Sequence, residues 1–511
     1  MHLRAERRLP LLPLVLGLAG TLLLAGCSEW GPAQGPESGG TMRVSVPALP
    51  STWNPDSTTG GPSAQPVRDV EAPLLQLTPH SQQAAPGLAR SWRYDSSRTR
   101  LTVTLRPKAE FSTGRRVTAE DVVFSVHQWL AGPRHGAYYA SLISGVKVDG
   151  THKVVFDLTA PSSAMTDALT LTSSAIVPDR FAGRSATDFY ARPIGAGPFA
   201  IRSTDGDEID LARNKHFYDR THPLLTRLDY TSADDPATVL RSVSHHRTDL
   251  AEGLPTSDVA DAPAHVRVVT TPSQSTSVLT FSPASALTAD PQLRKAVSLA
   301  VDRSALVKSV YDGQAGVARG LLPGDQPGAK ACTSCRWSTH SASLAAKDLA
   351  TVPGHDHLTL LVDSADATDV RTAQALTPML AQAGMTVRTL PVSATTLGER
   401  VSSGRYEMAL QTLSAETPSP AEALQTLVTG HYLTGPTALP TAQDALDAVG
   451  SATTKSQLTE AVTAFEQQVF ATTAAVPLVD PYVVDVVATP VRGLAVGPTG
   501  LYHSAELWLK G

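Results

Sequence analysis

Residues 101–130 read LTVTLRPKAEFSTGRRVTAEDVVFSVHQWL, and this stretch indicates the kind of fold that the chain adopts. Apolar and polar residues alternate from Leu101 to Leu105, as in a strand with one buried face. Thr118 and Asp121 have the spacing of a capping box, and apolar residues then recur at helical spacing. A strand that leads through a turn into an amphipathic helix predicts mixed α and β structure.

Strand and helix signals continue to alternate from residue 42 to the end of the chain. Asp149-Gly150 separates two short apolar segments and is typical of a hairpin turn. Asp290 followed by Pro291 marks the start of an amphipathic helix. Residues 358–390 read as a strand, a helix and a second strand. The pattern predicts an α/β fold with several sheets, and 511 residues are enough for two or three domains.

A glycine-rich turn, PIGAGPF, occupies residues 193–199. Such a turn can hold a phosphate through its backbone N–H groups, but Pro198 lacks one of them. We therefore interpret this segment as a structural turn in which Gly195 and Gly197 allow two chain segments to cross closely.

The N-terminus has three arginines, a long apolar run and then Leu24-Ala25-Gly26-Cys27. This order is typical of a secretory signal peptide, and the small-small-Cys ending resembles a bacterial lipobox, in which the cysteine takes a diacylglycerol. The alternative is a membrane-spanning helix with a chance cysteine, for which the apolar run is short and is interrupted by prolines. We predict a signal peptide over 1–26, lipidation of Cys27 and a flexible Gly/Pro/Ser-rich tether over 27–40.

Composition excludes some classes of partner. Without residues 1–26 the chain has 39 Lys and Arg against 46 Asp and Glu. A mildly acidic chain without a long basic run is not expected to bind nucleic acid.

Two cysteines besides Cys27 form the spacing C-x-x-C, at Cys332 and Cys335. Outside the cell this pair is compatible with a small disulfide loop, a redox pair or half of a zinc site. Zinc needs two further ligands, and the sequence has no second cysteine pair. The surrounding Pro/Gly-rich loop does not suggest a helix start that would stabilise a thiolate, so a local disulfide is favoured.

Motifs for catalysis and cofactor binding are absent from the sequence: there is no G-x-S-x-G, P-loop, H-E-x-x-H or Rossmann fingerprint. His245-His246 with Asp249 is the best metal-like cluster, but its polar surroundings favour a solvated helix face. We predict no catalytic residue, no metal site and no cofactor.

Six segments resemble, in the same order, motifs of the large solute-binding proteins of bacterial ABC importers, family 5, which includes oligopeptide-, dipeptide- and nickel-binding proteins. They are residues 86–92 (PGLARSW), 101–130, 193–199, 213–218 (RNKHFY), 293–303 (LRKAVSLAVDR) and 403–410 (SGRYEMAL). Each motif alone is weak, but together they run through nearly the whole mature chain.

The resemblance implies an α/β, periplasmic-binding-protein type II-like fold with two lobes, a hinge and an inserted subdomain. Lobe I is expected to comprise residues 41–75, 190–275 and 480–511, and the inserted subdomain residues 76–189. Lobe II is expected to span residues 276–480. A ligand between the lobes is buried when the hinge closes, and the closed form is presented to the permease.

The resemblance also implies ligand-binding positions. Peptide-binding members share W-x-x-D-Y, whose carboxylate pairs with the peptide amino terminus. In this chain Glu416 keeps the charge with a longer reach, while Leu413 replaces the aromatic residue. The alternative is a solvent-facing Glu416 in a Pro-rich loop. The predicted ligand-binding residues are Trp53, Thr59, Gly60, Gly61, Leu413, Ser414 and Glu416.

The function implied by the resemblance is that of an extracytoplasmic solute-binding component, which captures peptides or another small solute and delivers them to an ABC permease. It is expected to be a non-enzymatic monomer, anchored by lipid to the outer, periplasmic-side face of the cell membrane. One alternative is a solute-sensing lipoprotein of the same fold. Another is a secreted hydrolase that uses acidic residues such as Glu120, Asp121 or Glu416.

Overall fold

The computed structural model describes residues 35–511, apart from 59, 80–81, 233–234, 260–261, 283, 333–337, 353–356 and 430–440. Residues 37–511 form one structural unit. The predicted signal peptide, Cys27, Thr59 and Cys335 lie outside the described residues. Among the helices of the described part, none is both long and apolar enough to cross a bilayer.

A large mixed sheet has the strand order β16-β15-β17-β13-β18-β11-β1-β10-β9-β8, and β12 and β14 both pair with β18. Its strands are β1 (Thr41–Val46), β8 (Phe199–Asp205), β9 (Glu208–Arg213), β10 (Arg227–Ser232), β11 (Leu250–Ala251), β12 (Arg267–Pro272), β13 (Ser275–Phe281), β14 (Ala315–Val317), β15 (Leu358–Asp363), β16 (Val387–Val392), β17 (Met408–Ser414) and β18 (Ala475–Val487).

A separate four-stranded sheet, in the order β4-β5-β7-β6, lies within the predicted inserted subdomain. The strands outside the large sheet are β2 (Leu75–Leu77), β3 (Ala84–Pro86), β4 (Ala89–Tyr94), β5 (Arg100–Leu105), β6 (Ile143–Val148), β7 (Lys153–Leu158), β19 (Val491–Arg492) and β20 (Trp508–Leu509).

Helices cover the sheets and fill the connections between strands. They are α1 (Gln65–Val70), α2 (Ala119–Ala131), α3 (Gly136–Leu142), α4 (Ala164–Ala168), α5 (Ala186–Ala191), α6 (Pro236–Ser244), α7 (Pro291–Ala300), α8 (Arg303–Val310), α9 (Ala342–Leu349), α10 (Ala367–Gln382), α11 (Ala394–Ser402), α12 (Pro420–Thr429), α13 (Ala442–Ser451) and α14 (Lys455–Thr472).

Strand β18 connects two groups of strands. Its first part pairs with β13, where Val476 lies opposite Leu279, and its second part pairs with β12, where Val486 lies opposite Val268. The chain passes between the same two groups a second time, where β12 ends at Pro272 and β13 begins. Two connecting segments between two groups of strands have the geometry of a hinge. The residue limits of lobe I, lobe II and the inserted subdomain stay predictions, and we use these names for the ranges given above.

The start of α2 confirms the capping box. The Thr118 N–H donates to Asp121 Oδ2 at 2.8 Å, which satisfies one of the N–H groups that a helix start leaves without an intrahelical partner. The other oxygen, Asp121 Oδ1, accepts the Asp179 N–H at 2.7 Å and lies 2.5 Å from Arg115 Nη2. Asp121 therefore holds three parts of the inserted subdomain together.

The glycine-rich turn confirms the predicted close crossing. A Cβ placed on Gly195 would lie 1.8 Å from the Val70 carbonyl oxygen, and one on Gly197 would lie 2.3 Å from the Asp69 carbonyl oxygen. The Gly197 N–H donates to Val70 O at 2.9 Å, which fixes the two segments against each other. Only residues without a side chain fit at this separation.

Candidate functional site

Glu416 lies in the short connection between β17 and α12, and a second glutamate fixes its backbone. The N–H of Glu416 donates to Glu422 Oε1 at 2.8 Å, while the N–H and hydroxyl of Thr417 donate to Glu422 Oε2 at 3.1 and 2.7 Å. Burial, together with the neighbouring charge of Glu416, raises the pKa of Glu422 to about 7. The connection is therefore held in place independently of the Glu416 side chain.

The Glu416 carboxylate faces a histidine of the inserted subdomain. Its Oε1 lies 3.5 Å from His135 Nε2. The other ring nitrogen, His135 Nδ1, lies 3.0 Å from Asp56 Oδ1 of lobe I. Burial opposes the charged form of His135, but the hydrogen bonds and charges of Asp56 and Glu416 outweigh it and raise the pKa of His135 to about 9. At neutral pH, His135 is therefore a cation between two carboxylates, and all three predicted parts of the chain meet there.

Gly60 brings the backbone of lobe I against the same carboxylate. Its φ is +72° and that of Gly61 is +63°, a conformation that glycine adopts without the cost that other residues incur. A Cβ on Gly60 would lie 3.0 Å from both Cγ and Cδ of Glu416. Both glycines therefore provide an unusual backbone conformation, and Gly60 also provides a close approach to Glu416.

A small cavity lies between the Gly60–Gly61 segment and the Glu416 side chain. Its lining includes Gly60, Gly61, Glu416, Arg68 and Tyr502, and its volume is about 30 Å³, which leaves room for little more than a water molecule. Arg68 donates to the Thr170 carbonyl oxygen at 2.9 Å, and its burial lowers the pKa of the guanidinium to about 10. The Glu416 side chain and the Gly60 backbone of lobe I are thus in close contact, with little free space between them.

The structure brings Gly60, Gly61 and Glu416 together but places two other predicted residues elsewhere. The Trp53 side chain is 6% exposed and packs in the core of lobe I, and Leu413 is 1% exposed in a core of lobe II. Leu413 points inward because side chains alternate along β17. Ser414, the next residue, is exposed and lies opposite Ser275 in the strand register. Ligand contact at all of the predicted positions, including Gly60, Gly61 and Glu416, stays a prediction.

Three further residues at this site, His135, Asp56 and Arg68, were not predicted from the sequence. Asp56 directly follows Trp53-Asn54-Pro55, and its two side-chain oxygens accept the N–H groups of Arg134 and His135, both at 3.1 Å. The position of Asp56, directly after the Trp53-Asn54-Pro55 segment, was the only sequence signal for its contact with His135. His135 has no local motif, since its partners come from distant parts of the chain.

The other sequence candidates have structural partners. Asp249 binds Arg43, with Oδ2 accepting the backbone N–H at 2.8 Å and Nε–H at 2.9 Å, so it is not directed at the two histidines. Within the described residues, no group of His, Cys, Asp and Glu side chains has the arrangement of a metal site.

Cys332 is disulfide-bonded. Its predicted partner Cys335 lies outside the described residues, so the pairing itself stays a prediction.

The strand order, the two connections between strand groups and the contact across them define a class of protein, the type II periplasmic binding proteins. A family model described as "Bacterial extracellular solute-binding proteins, family 5 Middle" matches residues 83–432, more than half of the chain. The chain belongs to this family. The predicted fold class and family are confirmed, and the family consists of binding proteins rather than enzymes, as predicted for this chain.

Two curated relatives illustrate the similarity. The chain is 28% identical over 345 residues to Protein XP55 of Streptomyces lividans, covering 63% of this chain and 60% of that protein. It is 24% identical to the "Probable D,D-dipeptide-binding periplasmic protein DdpA" of Escherichia coli, covering 65% of this chain and 66% of that protein. Each match thus spans less than two thirds of the curated relative.

Among solved structures, the chain resembles the periplasmic binding protein DppA of Helicobacter pylori in complex with peptide STSA. The TM-score is 0.80 at 19% sequence identity, and the superposition covers 93% of this chain and 99% of the other. At this identity the similarity establishes the fold alone.

Proposed function

We propose that this chain is the extracytoplasmic solute-binding component of an ABC importer and that it captures peptides between lobe I and lobe II. The observation that carries this proposal is the Glu416 carboxylate of lobe II, which meets the Gly60 backbone of lobe I across a closed cleft. The names of DdpA and of the peptide complex of DppA support peptides as the ligand class. The protein acts as a monomer that delivers its ligand to a membrane permease.

Binding uses groups that the closed cleft already positions. The ammonium group at the amino terminus of a peptide enters beside Glu416 and takes over the charge compensation that His135 provides in the closed structure. His135 keeps its second carboxylate, Asp56, as a partner. The backbone of Gly60 and Gly61, without side chains in the way, pairs with an extended ligand in the manner of an added strand. Closure of the lobes then favours the liganded state by differential binding, without covalent chemistry.

Calorimetric titration of the purified mature chain tests the ligand class. We expect one peptide to bind per chain from a set of dipeptides, tripeptides and tetrapeptides, with its ammonium group beside Glu416. Free amino acids and monosaccharides serve as controls and should give no comparable heat. Tight binding of a control solute together with no response to any peptide would contradict the proposal.

We further propose that the mature protein is held on the outer face of the cell membrane through Cys27. The support is the N-terminal sequence, in which Leu24-Ala25-Gly26 precedes the cysteine. Two acyl chains on one cysteine provide stable anchoring where one chain does not.

Replacement of Cys27 by alanine removes the acylated thiol, so this variant should be unprocessed or released from the cell. Fractionation and mass analysis of the N-terminus check this, with the neighbouring change Ser28→Ala as a control that keeps the anchor. Recovery of Cys27→Ala in membranes as a processed, lipid-bearing protein would show that the anchor is elsewhere.

A further inference from the structure

A second, much larger cavity lies between lobe I and lobe II. Its volume is about 950 Å³, and its lining includes Pro47 and Gly253 of lobe I together with Ser277 and Thr412 of lobe II. Strand β17 runs from Thr412 at this cavity to Ser414, and Glu416 follows two residues later. A ligand that extends along β17 from Glu416 therefore reaches the larger cavity.

The charges around the larger cavity all have one sign. Asp363 ends β15, Asp366 is the N-cap of α10, and Asp369 lies in the first turn of that helix. Asp258 adds an acidic residue from lobe I, whereas burial raises the pKa of Glu252 well above its usual value and favours its neutral form. None of the described residues in the lining is Lys, Arg or His. A cleft lined by one sign of charge concentrates ligands of the opposite sign.

The start of α10 does not cancel this charge. The N-terminus of a helix carries roughly half a positive elementary charge, against three carboxylates in this segment. Asp363 and Asp366 each accept backbone N–H groups, from Ala365 at 2.9 Å and from Thr368 at 2.8 Å. Burial first, and then the charges of Asp366 and Asp363, raise the pKa of Asp369 to about 7. A bound cation would relieve this crowding of like charges.

Ser277 gives an independent indication that a ligand occupies the cavity. It is 3% exposed, and its hydroxyl has no hydrogen-bond partner among the described residues. Ser277 lies opposite Thr412 in the register of β13 and β17, and alternation along β13 puts its side chain on the same face as Leu279. A buried hydroxyl without a partner is unfavourable. A polar ligand in the cavity supplies the missing partner.

We propose that the larger cavity receives the basic side chain of a bound peptide, so that the protein prefers peptides containing lysine or arginine. The inference rests on the proposed peptide-binding function and narrows its ligand class. Asp363, Asp366 and Asp369 bind the cationic group from lobe II. Ser277 at the floor hydrogen-bonds the main chain of the ligand. Because Glu416 takes the amino terminus, the basic residue follows the first residue of the peptide.

The test uses peptides that differ in one side chain. Ala-Lys-Ala and Ala-Ala-Lys are compared calorimetrically with the same peptides in which norleucine or glutamate replaces lysine. We expect the better lysine peptide to bind about tenfold more tightly than its norleucine analogue, and the glutamate peptide to bind most weakly. Norleucine keeps the aliphatic chain of lysine, so the difference measures the charge.

A triple variant locates the effect. Asp363→Asn, Asp366→Asn and Asp369→Asn together keep the oxygens that accept backbone N–H groups but remove the charges, so the lysine preference should disappear while norleucine peptides bind as before. The matched control removes three exposed charges from lobe II helices outside the cavity: Glu399→Gln, Asp444→Asn and Glu460→Gln. It should keep the preference. Ser277→Ala should weaken the binding of lysine peptides and of norleucine peptides equally, by severalfold.

The outcomes separate this inference from the proposed function. Equal affinities for lysine, norleucine and glutamate peptides would overturn the inference while leaving peptide binding intact. Loss of the lysine preference in the control triple variant would overturn it as well, because net charge rather than the cavity would then be responsible. Failure of every peptide to bind would contradict the proposed function itself. The comparison of lysine, norleucine and glutamate peptides in the unmodified protein tests the inference even where the triple variant does not fold.

Discussion

Replacing Glu416 by glutamine is expected to weaken the binding of a peptide with a free amino terminus by about 2–5 kcal/mol, the cost of leaving one member of a buried charge pair alone. The side chain is 15% exposed in the closed cleft, so water screens it poorly. Glutamine keeps the shape of the side chain and removes only the charge. The backbone of the connection is held by Glu422 and is not expected to move.

A cycle of four titrations isolates this interaction. The unmodified protein and Glu416→Gln are each measured with one peptide and with its N-acetylated form, which lacks the ammonium group. Acetylation should weaken binding to the unmodified protein strongly and change little in the variant. Glu460→Gln, the same exchange on an exposed helix, serves as the control. Equal losses for both peptides would assign Glu416 a structural role, and unchanged affinities would place it outside the binding site.

Replacing Gly195 by alanine is expected to reduce the free energy of unfolding by about 3 kcal/mol or more, at the upper end of what overpacking costs. The new Cβ would lie 1.8 Å from the Val70 carbonyl oxygen. That oxygen cannot simply withdraw, because it accepts the Gly197 N–H at 2.9 Å. The effect therefore comes from steric overlap between two backbone segments.

Urea unfolding of Gly195→Ala and of a glycine-to-alanine control measures this cost. Gly398 lies within α11 and has open space around its Cβ position. Its replacement by alanine should leave stability unchanged or increase it by up to about 1 kcal/mol, the difference in helix propensity. If Gly195→Ala unfolded at the same urea concentration as the unmodified protein, the close crossing at residues 193–199 would be refuted.

Much of the fold follows from local patterns in the sequence. The capping box at Thr118 and the glycines of the 193–199 turn act over short distances, and both were predictable for that reason. The direction in which the Leu413 side chain points was not predictable. Met408, Ala409 and Leu410 of the same strand are all apolar, so the sequence does not show which face of the strand is buried. Both faces of this sheet region are covered by buried side chains, and strands that are buried on both faces lose the alternation that reveals their orientation.

The site was predictable only in part. Glu416, Gly60 and Gly61 were singled out through resemblance, since each lies in a recognisable stretch, and the structure brings them together. The partner of Glu416 was not found, because His135 acquires its charge from Asp56, 79 residues away in the sequence, and from Glu416 itself. Such a pairing depends on how the lobes and the inserted subdomain are positioned. No local spacing in the sequence encodes it.

The central claim is that the cleft between the lobes holds a peptide. Its most direct test is native mass spectrometry of the protein purified from its own host. We predict one additional mass per chain, which is lost on denaturation and gives a ladder of amino-acid residues on fragmentation. Under the further inference, the released peptides are enriched in lysine and arginine. A bound sugar or metal chelate in place of a peptide, or a chain that neither carries nor takes up peptides, would contradict the account.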